Sequence, residues 1–146
     1  MVVTADTSFL FSLYGEDANS AKAVNFIKTS DSPISLTMLN IFELENALRF
    51  ASFKQFYTSE EAAQMQNDID SATKDGRLII ARISLNQIIE TARKLSENYT
   101  QTGGHRSFDI LHVAAAIILK ADVFLTFDKN QTRLAQQMNL NCPLVQ

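Results

Sequence analysis

The 146 residues amount to about one domain, and a chain of that length buries roughly 70% of its unfolded surface without help from a metal or a disulfide. A 46% apolar share with four Gly and two Pro excludes disordered, collagen-like and low-complexity sequence, and the single cysteine, Cys142, excludes a disulfide framework and agrees with a reducing compartment. Thirteen basic against sixteen acidic residues leave a net charge of −3, so a nucleic-acid partner would have to be met by a local basic patch or through metal ions.

Val2 to Ala5 reads as a buried strand and Ser8 to Tyr14 as an apolar helical turn. Over Glu16 to Thr29 the residues Ala18, Ala21, Val24 and Ile27 make one helical stripe. Pro33 to Leu36 predicts a second strand, with Pro tolerated at its start. A helix follows over Leu39 to Phe53, with Leu39, Phe42, Asn46 and Phe50 along one line. Another covers Ser59 to Lys74, capped by Ser59, acidic in its first turn and stopped at Gly76. Arg77 to Ile83 predicts a third strand, Asn86 to Asn98 a helix, and Thr100 to Gly104 a loop. Phe108 to Lys120 is the most apolar helix, followed by a strand at Asp122 to Phe127, a helix at Lys129 to Met138 and an edge strand at Pro143 to Val145.

Strands separated by helices predict a parallel sheet covered on both faces, in one α/β domain over residues 1–146. The start, Met1 to Asp6, has no basic n-region and an acid interrupts its apolar run, so no signal peptide is expected. The longest apolar stretch, Val113 to Leu119, is far short of the ~20 residues of a membrane span. The expectation is a cytoplasmic protein without membrane contact.

In an open parallel sheet, ligands bind beyond the carboxyl ends of the strands. Asp6 ends the first predicted strand and Asp128 the fourth, Glu43 lies in the helix after the second, and Asp109 opens the helix that feeds the fourth. Singly, Asp6 and Asp128 read as helix N-caps, Asp109 as a first-turn acid and Glu43 as a solvated helix residue. Together in one cleft, four carboxylates would repel and raise one another's pKa unless a cation neutralised them. An all-oxygen set without a Cys or His cluster suits Mg²⁺ or Mn²⁺ rather than zinc. Thr7 and Ser8 follow Asp6, and Thr126 stands two residues before Asp128 on the same strand face, where hydroxyls could orient water or an acid.

Four segments carry a family resemblance. Asp6-Thr7-Ser8-Phe9-Leu10 resembles the opening motif of PIN domains, a small metal-dependent ribonuclease fold, and Thr37 to Leu44 is similar to the second motif, with Thr six residues ahead of Glu43. Arg106-Ser107-Phe108-Asp109-Ile110-Leu111-His112 through Ala116 closely resembles the third, and Phe124-Leu125-Thr126-Phe127-Asp128 the fourth. The motifs run in order from Asp6 to about Leu140, and the size and the stretch Glu43 to Leu48 look most like VapC toxins of toxin–antitoxin pairs. The resemblance implies a three-layer α/β/α fold around a parallel sheet of four to five strands. It implies Asp6, Glu43, Asp109 and Asp128 as catalytic and metal-binding residues, supported by Thr7, Thr126 and Arg106. It further implies a Mg²⁺- or Mn²⁺-dependent endoribonuclease acting on RNA, a small antitoxin partner and a homodimer. A PIN ribonuclease of RNA processing without an antitoxin has the same chemistry. A receiver-like signalling domain needs a paired acid before Asp6, which Val2-Val3-Thr4-Ala5 does not supply, and a non-catalytic RNA-binding domain would not need the four acids.

His112 lies on the helical face of Asp109 and reads as a packing or hydrogen-bonding residue, while His105 beside Gly103-Gly104 reads as exposed. Arg106 stands where it could pair with a phosphate or an acid; Arg49, Lys54, Lys129 and Arg133 either border an RNA groove or are ordinary solvated surface. Phe42, Phe50, Phe53, Phe56 and Tyr57 crowd one helical hairpin, Leu39 to Lys74, more densely than one sheet face needs, which predicts an exposed apolar patch for an antitoxin or a dimer. Glu43 and Glu45 are about 200° apart on their helix, so one cleft can take only one of them. If Phe42 and Asn46 line the buried edge, that one is Glu43.

Overall fold

The structure, a computed structural model, describes residues 1–144. Four three-residue strands, β1 (Val3–Ala5), β2 (Ile34–Leu36), β3 (Leu78–Ile80) and β4 (Val123–Leu125), form one parallel sheet in the order β3-β2-β1-β4. Parallel neighbours need crossovers, and the helices supply them: α1 (Thr7–Tyr14), α2 (Ser20–Thr29), α3 (Met38–Phe53), α4 (Ser59–Lys74), α5 (Leu85–Leu95), α6 (Gln101–Gly103), α7 (Ser107–Ile118) and α8 (Lys129–Gln137).

Side chains alternate across the sheet and feed two separate cores. Val3, Ala5, Val123 and Leu125 join Phe9, Leu10, Leu44, Leu48 and Ile69 on the side of α1 to α4. Phe124 points the other way, into Ile88, Leu95, Ile110, Val113 and Leu134 of α5, α7 and α8. The result is the expected three-layer α/β/α arrangement, with β1 between β2 and β4. The chain reverses its direction of progression beside β1, which leaves a crevice where β1 and β4 end.

Several expected elements shift. In α2 the inward side is Ala23, with Phe26 and Ile27 half-buried, and Ala21 and Val24 are exposed; Ala18 lies in the Asp17–Ser20 turn ahead of the helix. Phe42 and Phe50 are 61% and 55% exposed, and Asn46 is exposed as well, so the line they form faces solvent; the buried edge of α3 is Asn40, Leu44, Leu48 and Ala51. Thr58, not Ser59, caps α4, in a reciprocal box with Glu61. The expected loop at Thr100 is helical: α5 runs through a π-helical turn, Ser96–Thr100, into α6, and the chain turns only at Gly104, whose φ of 67° suits a residue without a side chain. Pro143 and Leu144 form a turn instead of an edge strand, the final pairing being one parallel bridge of Asn141 to Val123; Val145 lies outside the described residues. None of the described helices is long and apolar enough to cross a membrane.

Candidate active site

Capping places the first acid. Asp6 leaves β1 with extended backbone and its Oδ1 accepts from the Phe9 N–H at 2.9 Å, which starts α1. Its carboxylate is 1% exposed yet fully engaged: Ser8 Oγ donates to both oxygens at 2.8 Å, Thr126 Oγ1 to Oδ2 at 2.6 Å and Gln131 Nε2 to Oδ2 at 2.8 Å. Burial raises the Asp6 pKa to about 6, and the donors from Thr126, Phe9 and Ser8 limit the rise. Thr126, just past β4, also accepts the Asp128 N–H at 3.0 Å, so one hydroxyl ties the ends of two adjacent strands together. Asp128 caps α8 through the Gln131 N–H at 2.8 Å.

Asp109 and Asp128 face each other across Arg106. The guanidinium lies 3.3 Å from Asp109 Oδ2 and 3.9 Å from Asp128 Oδ2, while its side chain is 81% exposed. Burial and the neighbouring Asp128 push the Asp109 pKa up against the opposing charge of Arg106.

Glu43 is held differently. Asn40 accepts the Thr37 N–H with its Oδ1 and donates with Nδ2 to the Ala5 carbonyl, which fixes the orientation of its amide. The same Nδ2 donates to His112 Nδ1 at 3.2 Å, so the ring proton belongs on Nε2, which faces Glu43 Oε1 at 3.2 Å and Thr7 Oγ1 at 3.3 Å. Burial alone would raise the Glu43 pKa, but the hydrogen bonds from His112 and Thr7 and the nearby charge of Arg106 outweigh it and hold the carboxyl below its usual range. His112 is thus a hydrogen-bonding residue, as its position suggested. Glu45 turns away and pairs with Arg49 at 3.7 Å.

All four acids line one cavity of about 660 Å³, together with Thr7, Ser8, Arg106, His112 and Gln131. Phe11, Phe108 and Phe127 form much of its wall, and Asp17 stands in the α1–α2 connection beside them. Among the described residues no three His, Cys, Asp or Glu side chains converge at metal-ligand spacing, because protein donors separate the carboxylates, Arg106 between Asp109 and Asp128 and Gln131 between Asp6 and Asp109. The donor set nonetheless fits a hard divalent cation: the four carboxylates offer only oxygen, and both nitrogens of His112 in the cavity lining are already engaged, by Asn40 and by Glu43. Sequence reasoning missed Gln131 and Asn40. Asn40 stands three residues after the cap Thr37, a capping-box spacing open to reading; nothing in the polar helix α8 marks Gln131. His105 is buried rather than exposed, its ring against Gly103 and its Nδ1 facing Asn130 Nδ2 at 3.3 Å.

Solved structures of similar fold include VapC20 of Mycobacterium tuberculosis, a sarcin–ricin loop cleaving toxin (12% identity, 90% of this chain and 93% of that one, TM-score 0.69). VapBC2 of Rickettsia felis, bound to a DNA fragment from their promoter, is 17% identical over 97% of both chains with a TM-score of 0.65. FitAcB of Neisseria gonorrhoeae is 12% identical over 97% and 96% of the two chains, with a TM-score of 0.67. No curated protein sequence matches this one. At such identities the likeness is one of fold. The model of the PIN domain family matches residues 3–137, from the first residue of β1 to the last of α8 with all four acids inside that span, and the chain belongs to the PIN domain family.

Proposed function

We propose that the protein is a Mg²⁺- or Mn²⁺-dependent endoribonuclease, with Asp6, Glu43, Asp109 and Asp128 as the cation-binding and catalytic acids, and that it is the toxin of a toxin–antitoxin pair. The observation that carries this reading is the meeting of carboxylates from four separate chain segments in one cavity. A bound divalent cation would supply charge neutralisation at the scissile phosphate and make water a better nucleophile there. The chain's own residues do the rest. Ser8, Thr126 and Gln131 fix the Asp6 carboxylate, and His112 and Thr7 fix Glu43. Arg106, exposed and already between two acids, swings onto an RNA phosphate, and the three phenylalanines exclude water from one side of the cavity.

The partner is a small antitoxin seated on the aromatic hairpin. A groove lined by Phe11, Ala47, Phe50, Phe56 and Tyr57 shares Phe11, Asp17 and Ala47 with the acid cavity. An amphipathic helix in that groove is therefore placed to carry a basic residue into the acids. The working site of the protein is intracellular RNA.

The test is cleavage of structured RNAs with and without chelator, with D109N as the control. Cleavage that is abolished by chelation and by D109N is the expected result. Cleavage that survives full chelation but not D109N sinks the cation mechanism, and cleavage by a protein that co-purifies from its host only as a dimer favours an RNA-processing enzyme instead.

A further inference from the structure

Gln131 touches three of the four acids. Its backbone N–H donates to Asp128 Oδ1 at 2.8 Å, and its Nε2 donates to Asp6 Oδ2 at 2.8 Å and reaches Asp109 Oδ1 at 3.4 Å. The side chain is 2% exposed, on a helix whose other buried positions, Thr132, Leu134 and Ala135, offer the cavity nothing comparable. Turning the amide over would aim its oxygen at two carboxylates, so their charges fix its orientation. That leaves Gln131 Oε1 sealed from bulk water and without a donor. A buried carbonyl with no partner costs free energy that a Met or Leu of similar length would not. The amide is therefore kept for its N–H end, which reaches two carboxylates at once.

We propose that Gln131 is a positioning residue of the acid site: its Nε2 amide holds Asp6 and Asp109, and its backbone N–H holds Asp128, at the separation that a divalent cation among them requires. This rests on the reading of the acids as cation ligands. Without a cation, the amide bridges two carboxylates that would otherwise repel; with one, it keeps them in the same places. Outer-shell groups of this kind typically change metal affinity by about 10- to 100-fold when removed.

Two variants of the full chain test it. Q131M keeps the length and removes every hydrogen-bonding atom; Q131E keeps the shape, removes both N–H donors and adds a charge. Mn²⁺ affinity is measured by calorimetry, and thermal midpoints are recorded in EDTA and in excess Mn²⁺. Q131M is expected to bind Mn²⁺ about tenfold or more weakly than the parent. Q131E is expected to melt below the parent in EDTA and to gain more than the parent on adding Mn²⁺, a coupling that a side chain serving only to pack would not produce. Parent protein that binds Mn²⁺ alongside Q131M that binds it within about twofold overturns the proposal. So does a Q131E midpoint offset that is the same with and without Mn²⁺; if Q131M does not fold, this second comparison decides alone. Parent protein that binds no Mn²⁺ overturns the reading of the acids themselves.

Discussion

Replacing Asp6 by Asn should stabilise the protein in the absence of divalent cations while abolishing its activity. The Asp6 pKa is raised from 3.8 to about 6 by burial at 1% exposure, so between those values the folded chain binds a proton that the unfolded chain does not. The associated stability is fully present below pH 3.8 and is lost as pH rises through 6. At about 1.4 kcal/mol per pH unit the whole effect is about 3 kcal/mol, of which about 1.3 kcal/mol falls between pH 5 and pH 7. Asn carries no charge and escapes this cost. Its amide still meets a usable partner, since Thr126 can rotate its hydroxyl to accept the new N–H. Allowing about 1 kcal/mol for that rearrangement, D6N should be more stable than the parent by roughly 1–2 kcal/mol at pH 7. Urea unfolding in EDTA at pH 5 and pH 7 is the assay, and the difference between the pH slopes of the two proteins isolates Asp6. Excess Mn²⁺ should reverse the ranking, because a ligand at 100 times its Kd adds about 2.7 kcal/mol to the form that binds it. Equal pH slopes, or D6N less stable than the parent at pH 7 in EDTA, would refute the claim that burial of charge dominates at Asp6.

E43Q should weaken Mn²⁺ binding about tenfold or more, roughly 1.4 kcal/mol, and lose most RNA cleavage with the fold intact, as read by calorimetry and a cleavage assay. E45Q should stay within about 0.5 kcal/mol of the parent in stability and leave both readouts alone, because its pair with Arg49 is an ordinary surface pair. F56S, at a position 73% exposed, should leave folding stability within about 0.5 kcal/mol while costing about 2 kcal/mol or more of affinity for the antitoxin; pull-down of a partner by F56S as tight as by the parent would move the docking surface elsewhere.

The fold was legible in the sequence because short β-branched runs and longer amphipathic stretches alternate without ambiguity, and every one of the four strands lies inside its expected span. What was misread was the phase of two helices, the cap of α4, the loop at Thr100 and the edge strand at Pro143. The exposure of Phe42 and Phe50 bears out the expected apolar patch and overturns the buried edge of Phe42 and Asn46; Leu44, Leu48 and Ala51 are the residues that pack. Glu43 nonetheless lines the cavity and Glu45 turns away as expected, because the motif spacing from Thr37 picks Glu43 without reference to the buried edge of α3. The supporting contacts were legible only where a local rule exists. Thr126 shares a strand face with the end of β4 and was readable, whereas Gln131 meets Asp6 across 125 residues of sequence and was not.

At two of the four acids the structural and the chemical readings coexist, and carboxylate geometry explains why. Asp6 caps α1 through Oδ1 alone, and Asp128 caps α8 through Oδ1 alone. Capping sets the rotamer, and with the rotamer set the second oxygen points where the strand ends point, toward Gln131 and Thr126 in one case and toward Arg106 in the other. Asn would cap either helix about as well as Asp. What the carboxylate adds is full charge on the oxygen that the cap does not use, on the side where Asp109 adds a third charge and where Arg106 and the Gln131 amide already lend positive or partly positive groups. A site that gathers such donors around its acids is arranged for anionic oxygens to be met by something cationic, and a helix cap by itself would have no need of them.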